Sequence, residues 1–192
     1  MDTIQIFDTQ LFLLINHLPH TWGSDIVAQA LSGFGYAWVI WFVIGIVLFL
    51  QKEKKDHWFW VPLAIAAGLC YFVSELLIKY MIARARPDML SDAIIVGVHP
   101  LSFSFPSTHA AVAFAFAYLF SRKEAHWFWL YVLALLVCFS RIYLGHHFPS
   151  DVIAGMMLGT IIGIVSMKID EILHMTKRNN NRNSSKKRLK RV

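Results

Sequence analysis

The apolar residues of this sequence come in long runs, and that clustering constrains the fold more than any other feature. WVIWFVIGIVLFL ends at Leu50, WFWVPLAIAAGLCYFVSELLI extends from Trp58 to Ile78, and HAAVAFAFAYLF ends at Phe120. WFWLYVLALLVCF covers Trp127 to Phe139, and VIAGMMLGTIIGIVSM covers Val152 to Met167. A helix that crosses a membrane needs about 20 mostly apolar residues, a length these runs approach or reach when their polar ends are included. The sequence therefore predicts an all-α, polytopic transmembrane bundle with five spans. With 57% of the residues hydrophobic, the polar sequence between the runs is too short to cover a soluble core built from them.

Ahead of these runs, IFDTQLFLLINHLP places Ile6, Phe7, Leu11, Phe12, Leu14 and Ile15 largely on one helical side. That pattern predicts either a helix lying in the membrane interface or a short sixth span reaching to Phe34. A secretory signal is not expected, because a basic n-region is missing and Asp2 and Asp8 are present. Cys70 and Cys138 fall within apolar runs and read as small buried hydrophobes.

Charge supplies an orientation. Fourteen of the 18 Lys and Arg residues fall on one side of the membrane if the spans alternate. They are Lys52, Lys54 and Lys55 in QKEKKDH, Arg122 and Lys123 in SRKEAH, Lys168, and eight in the tail KRNNNRNSSKKRLKRV. Basic loops stay cytoplasmic, so loops 84–107 and 141–150 are expected to face outward from a plasma membrane. Beyond Thr176 the chain is polar and basic, which predicts a membrane-embedded domain over 1–176 and a disordered cytoplasmic tail over 177–192. The tail suits an orientation signal, and its charge also suits anionic lipid.

The outward side keeps only Lys79, Arg84, Arg86 and Arg141. Lys79 and Arg86 frame KYMIARARP at the end of the second run, and His109 follows SFPST at the start of the third. Arg141, His147 and Asp151 lie in SRIYLGHHFPSD, between the fourth and fifth. Ionisable groups at membrane depth are costly and mark functional sites. Snorkelling of a long side chain to the interface accounts for one of them, but poorly for three segments of the same character. Histidines with an aspartate suit a metal, yet three cations would repel it. The same cations suit an anion, and arginine forks match phosphate oxygens. Ser107 is a candidate N-cap after Pro106, and Pro149 suits the first turn of the last helix. Both histidine segments then stand where helices begin, with free N–H groups aimed at the anion. These residues point to phosphate chemistry.

Lys79-x6-Arg86-Pro87, Pro106-Ser107-Thr108-His109 and Ser140-Arg141-x5-His147-x3-Asp151 occur in that order. Together they resemble the three motifs of the type 2 phosphatidic acid phosphatases, the membrane branch of the superfamily that includes vanadium haloperoxidases. The resemblance runs from Lys79 to Asp151, and Thr108 stands where the second motif commonly has glycine. It implies a metal-independent lipid phosphatase with no cofactor. By this resemblance His147 is the nucleophile, attacking as a neutral imidazole to form a phosphohistidine. Asp151, four residues on, holds the tautomer. A protonated His109 serves the leaving oxygen and then activates water. Lys79, Arg86 and Arg141 bind the phosphate oxygens, with Ser107 and Thr108 assisting. His146 is read as secondary.

Asp151, Gly155, Gly159 and Gly163 recur every four residues and share one helix face, where small residues let membrane helices approach closely. The alanines of HAAVAFAFA offer a matching surface, and contact between the two would bring His109 and Asp151 to one depth. Glu75, one turn before Lys79, is placed to pair with it or to meet substrate or solvent. The resemblance implies a lipid phosphate held at headgroup level, with undecaprenyl pyrophosphate (a carrier in cell-wall biogenesis) first. Phosphatidylglycerophosphate and phosphatidic acid are alternatives. Transfer of phosphate to an acceptor other than water remains open. A non-enzymatic transporter or metal-binding protein accounts for the intramembrane charges but not for the ordered motifs. Nucleic acid is not an expected partner.

The distribution of basic residues yields a direct test. A cysteine placed in loop 88–104 is expected to react with an impermeant thiol reagent applied to intact cells, and one in loop 51–57 is not. The reverse pattern would move the site to the cytoplasmic side.

Overall fold

The chain opens with two short helices, α1 (Thr3–Asn16) and α2 (Trp22–Leu31), separated by the turn 17–21. The computed structural model describes residues 3–32, 60–90, 92–98, 101–122 and 127–189; the apolar run ending at Leu50 and the loop 51–57 lie outside them. Thr21 starts α2 through a capping box, its hydroxyl accepting from the Ser24 N–H while the Ser24 side chain accepts from the Thr21 N–H. With 14 and 10 residues, neither helix alone reaches the length of a span. Phe7 and Leu14 of α1 are exposed, whereas Asp8, Phe12 and Asn16, one turn apart, are buried. The buried stripe of α1 is thus partly polar.

Next, α3 (Trp60–Tyr71) runs through a π-helical segment (Phe72–Ile78) into the single turn α4 (Lys79–Ile82). Three further helices follow: α5 (Thr108–Ser121), α6 (Trp127–Tyr143) and α7 (Pro149–Leu189). No strand occurs among the described residues. Among the described residues, two stretches are long and apolar enough to cross a membrane, Trp60–Met89 with 30 residues and Pro149–Thr176 with 28. Thr108–Ser121 and Phe128–Tyr143 are shorter apolar helices, so helix length does not confirm the expected five spans. At 1.5 Å per residue the 14 residues of α5 rise about 21 Å, against about 30 Å of hydrocarbon. α5 begins at a buried cluster of polar side chains that includes Ser104, Ser107 and Asp151. At the other end, α7 continues helical to Leu189, through residues whose composition predicts disorder. No glycine or proline interrupts 177–189, and the lysines and arginines there are good helix formers.

The core is assembled around α5, most of which is buried against α3, α6 and α7. The glycine face of α7 meets the alanine face of α5, as the four-residue spacing predicts. A β-carbon on Gly155 or Gly159 would overlap the carbonyl oxygen of Ser107 or Ala111, and one on Gly163 would stand 3.1 Å from that of Ala115. Contacts therefore advance in step along both helices, which run in the same direction from a common start. That start is pinned by the Ser107 N–H, which donates to the Asp151 carbonyl at 3.0 Å. His109 and Asp151 are carried to one level by this pairing.

The register makes a graded prediction. Gly159→Ala must push the helices apart and is expected to destabilise by about 1–3 kcal/mol through overpacking. Gly163→Ala, whose neighbour need yield only slightly, is expected to cost clearly less. Thermal unfolding of the purified variants in detergent checks the order, and equal losses would contradict the described contact.

Candidate active site

Lys79 begins the turn that ends the long α3 rod, and its ammonium is buried at 2% exposure. It donates to Glu75 Oε1 at 2.6 Å and to Ser102 Oγ at 2.9 Å. Glu75 also accepts from the Thr108 hydroxyl at 2.6 Å. The pairing of Glu75 with Lys79, one of the outcomes open from sequence, is the one observed. Both partners sit at the π-helical segment, and such widened turns recur at functional sites.

Ala83 then stops the helix in the left-handed region, with φ 49°. A side chain in that conformation costs about 1–2 kcal/mol, so the surrounding structure holds it there. Beyond it, alternate residues of RAR turn inward: Arg86 is buried and Arg84 half-buried, while Ala85 between them is exposed. Arg86 donates to the carbonyls of Ser102 at 2.6 Å, Phe103 at 3.1 Å and His146 at 2.6 Å, and stands 3.4 Å from His147 Nε2. It therefore staples loop 101–107 to loop 144–148. The turn into that second loop depends on Gly145 at φ 79°, where a β-carbon would strike the Ile94 carbonyl oxygen.

His147 is 1% exposed and Asp151 is fully buried. Their closest approach, Nδ1 to Oδ2, is 3.7 Å, so they face each other beyond hydrogen-bond length. Asp151 Oδ2 already accepts from Ser104 Oγ at 2.5 Å and from the Phe148 N–H at 2.9 Å. Burial, together with the guanidiniums of Arg86 and Arg141, holds the His147 imidazole well below its ordinary pKa, which keeps it neutral near pH 7. Arg141 is buried at the end of α6 and donates to Ser32 Oγ at 2.6 Å. Its Nε, together with His109 Nε2 and His147 Nδ1, is buried without a hydrogen-bond partner. Buried polar atoms in folded proteins are usually paired with protein, water or ligand, and these three face one shared cluster. His109, Arg141, His147 and Lys79 lie within electrostatic reach of one another.

Ser107 caps α5 as expected, its hydroxyl oxygen accepting from the Ala110 N–H at 3.5 Å. Its own N–H is committed to Asp151, which leaves only the hydroxyl proton for a ligand. Thr108 turns its hydroxyl to Glu75. His146 is buried beside His147, with its backbone N–H donating to the Arg141 carbonyl at 3.0 Å. All eight residues expected at the site, Lys79, Arg86, Ser107, Thr108, His109, Arg141, His147 and Asp151, converge on this cluster. A cavity of about 290 Å³ opens beside it, lined by Arg84, Arg86, Asp88, Met89, Ser102 and Phe103.

Sequence reasoning missed four contributors. Ser102 and Ser104 are ordinary serines in a loop, and no pattern distinguishes them. Arg84 was visible as an outward cation two residues before Arg86, a spacing that shares a face only in extended chain. Asp8 was visible as a lone acid in an apolar helix, and is joined to Arg84 at 2.6 Å.

Comparison with known proteins fits this geometry. The profile of the PAP2 superfamily matches residues 59–173, most of the chain and all three motifs. An undecaprenyl-diphosphatase of Sulfolobus acidocaldarius is 30% identical over 168 residues, covering 85% of this chain and 79% of that protein. Among solved structures, Aquifex aeolicus LpxE superposes with a TM-score of 0.66 at 31% identity, covering 83% of this chain and 93% of that one. A transmembrane PAP2-type phosphatidylglycerolphosphate phosphatase from Bacillus subtilis gives 0.69 at 26% identity, covering 89% and 88%. Three motif segments folded into one buried cationic cluster, on a helical scaffold shared with these membrane enzymes, leave one assignment: the chain belongs to the PAP2 superfamily and is a membrane lipid phosphatase.

Proposed function

We propose that the protein removes the terminal phosphate of a prenyl diphosphate lipid, undecaprenyl pyrophosphate first, at the outer face of a plasma membrane, through a phosphohistidine on His147. The observation that carries this reading is the setting of the His147 ring. Nδ1 faces Asp151 Oδ2 at 3.7 Å, and Nε2 faces Arg86 at 3.4 Å. A neutral ring with its proton on Nδ1 presents the Nε2 lone pair toward the cationic side, where a phosphate is drawn. Nε2 attacks phosphorus, the bond to the bridging oxygen breaks, and His109 delivers the proton that oxygen needs. Water then attacks the phosphohistidine, giving its proton to His109 and releasing inorganic phosphate. Lys79, Arg86 and Arg141 offset the charge that builds on the equatorial oxygens. A bound phosphate also supplies the negative charge that a protonated, buried His109 requires.

The substrate class follows from the surroundings and the relatives. Met89 and Phe103 line the cavity and are exposed, as suits a lipid whose phosphate reaches the site from headgroup level. The Sulfolobus relative bears the name of that activity. With the basic loops cytoplasmic, the cluster faces outward and α7 carries the tail inward.

Two measurements test this reading. Phosphate release from a panel of lipid phosphates is expected to persist in EDTA, because the cluster concentrates cations where a metal site would need carboxylates. Loss in EDTA with rescue by a divalent ion would overturn it, and turnover only with an added acceptor would make it a transferase. Among variants, His147→Ala is expected to lose about four orders of magnitude in kcat and all trapped phosphoenzyme. His109→Ala should lose about 10²–10⁴-fold on the lipid, and recover part of that on an activated ester whose leaving oxygen hardly needs a proton. Asp151→Asn should fall severely with near-normal folding, and His146→Ala should cost far less. Activity in His147→Ala with none in His146→Ala would reassign the nucleophile.

A further inference from the structure

We propose that α1 is part of the catalytic apparatus, with Asp8 and Arg84 acting as positioning residues that set the carboxylate of Asp151. The proposal rests on the phosphohistidine reading above. The Arg84 guanidinium bridges three oxygens. One terminal nitrogen donates to Asp151 Oδ1 at 2.5 Å and to Ser150 Oγ at 2.6 Å, and the other donates to Asp8 Oδ2 at 2.6 Å. Its plane is further held by Phe148, whose ring centroid lies 4.4 Å from the guanidinium carbon. Asp8 closes the loop, accepting from the Ser150 N–H at 2.9 Å and the Ser150 hydroxyl at 2.5 Å. An acid on the first helix thus satisfies an open N–H in the first turn of the last, as a capping side chain would. One turn along α1, Phe12 packs edge-on against Phe148 with centroids 5.5 Å apart.

This linkage matters because Asp151 has to meet His147 with one particular oxygen. Its Oδ2 is drawn by Ser104 and the Phe148 N–H and lies 3.7 Å from Nδ1. The terminal torsion of aspartate is soft, so hydrogen bonds and not rotamer preference fix the carboxylate plane. Arg84 anchors Oδ1, and with it the direction in which Oδ2 points. Asp8 in turn anchors Arg84, which lines the cavity and would otherwise be free to turn its donors toward a phosphate bound there. The order of influence runs from Asp8 to Arg84, to Asp151, to the His147 tautomer.

The test uses the full chain in detergent micelles, with Asp8→Asn, Arg84→Gln, both together, and the conservative Asp8→Glu and Arg84→Lys. Competent sites are counted by trapped phosphoenzyme, and kcat is expressed per competent site. Asp8→Asn and Arg84→Gln are expected to lower kcat per site by about 10- to 100-fold, the equivalent of one charge-assisted hydrogen bond, with KM little changed. The loss should be equal on the lipid and on an activated ester, because it lies with the nucleophile; His109→Ala differs in being partly relieved by the ester. The double variant should fall no further than Arg84→Gln alone, since the two act in one chain. Asp8→Glu should restore part of the rate. Fewer competent sites with an unchanged rate per site would reduce α1 to a docking element and overturn the proposal, as would additive losses. Absence of phosphoenzyme in the unmutated protein would instead overturn the phosphatase mechanism itself.

Discussion

Two positions without β-carbons, Gly155 and Gly159, let α7 approach α5 until the carbonyl oxygens of Ser107 and Ala111 occupy the space that side chains would fill. Everything at the site inherits its level from that approach. Lipid tails are as apolar as leucine, so helices in a membrane gain little from hiding apolar surface and associate mainly through close packing. Once α5 and α7 start side by side, the Ser107 N–H finds the Asp151 carbonyl, and the two histidine segments open onto the same volume. Larger residues would not simply weaken this contact. They would move His109 away from His147, and under the mechanism proposed above a displacement of about 1 Å between those groups is enough to cost about 10²-fold.

The charged residues gathered there do little for stability. Buried ion pairs seldom repay their desolvation, so Lys79 with Glu75, and Arg84 with Asp8 and Asp151, are poor candidates for holding the fold together. Their arrangement is better understood as partition. Arg84 and Lys79 face carboxylates, whereas Arg86 and Arg141 donate to carbonyl and hydroxyl oxygens, which carry only partial charge. The second pair keeps its field, and the Arg141 Nε and His109 Nε2 remain without partners. Under the mechanism proposed above, a phosphate entering the cluster would meet donors already oriented and already desolvated, so that little rearrangement is needed as charge develops.

What was legible in the sequence and what was not follows from distance along the chain. Lys79, Arg86, His109, Arg141, His147 and Asp151 fall in motifs with short internal spacings, and the glycine repeat on α7 predicts the packing that unites them. Glu75 was readable as a neighbour of Lys79, but its choice between lysine and substrate depended on Thr108, 33 residues away in sequence. Asp8 lies 142 residues from Ser150, and nothing in either segment marks the other as a partner. The count of five spans stays an expectation, because one of the five runs lies outside the described residues and α5 and α6, with 14 and 17 residues, are shorter than a full span.

Thr108 is where this chain departs from the commoner glycine of the second motif, and the structure gives that departure a local cause. Its hydroxyl and the Lys79 ammonium both donate to Glu75 Oε1, at 2.6 Å each. Ser102 joins the same group, bonding the Glu75 carboxylate and accepting from the lysine at 2.9 Å. Glycine at 108 would remove one of these bonds, and under the mechanism proposed above the carboxylate, left to Lys79 and Ser102, would be freer to swing toward a bound phosphate. Thr108 and Glu75 therefore form one unit with Lys79. Under the mechanism proposed above, the acid sets the direction of the lysine and the hydroxyl holds the acid back, so that a side chain at 108 would assist phosphate binding without touching the phosphate.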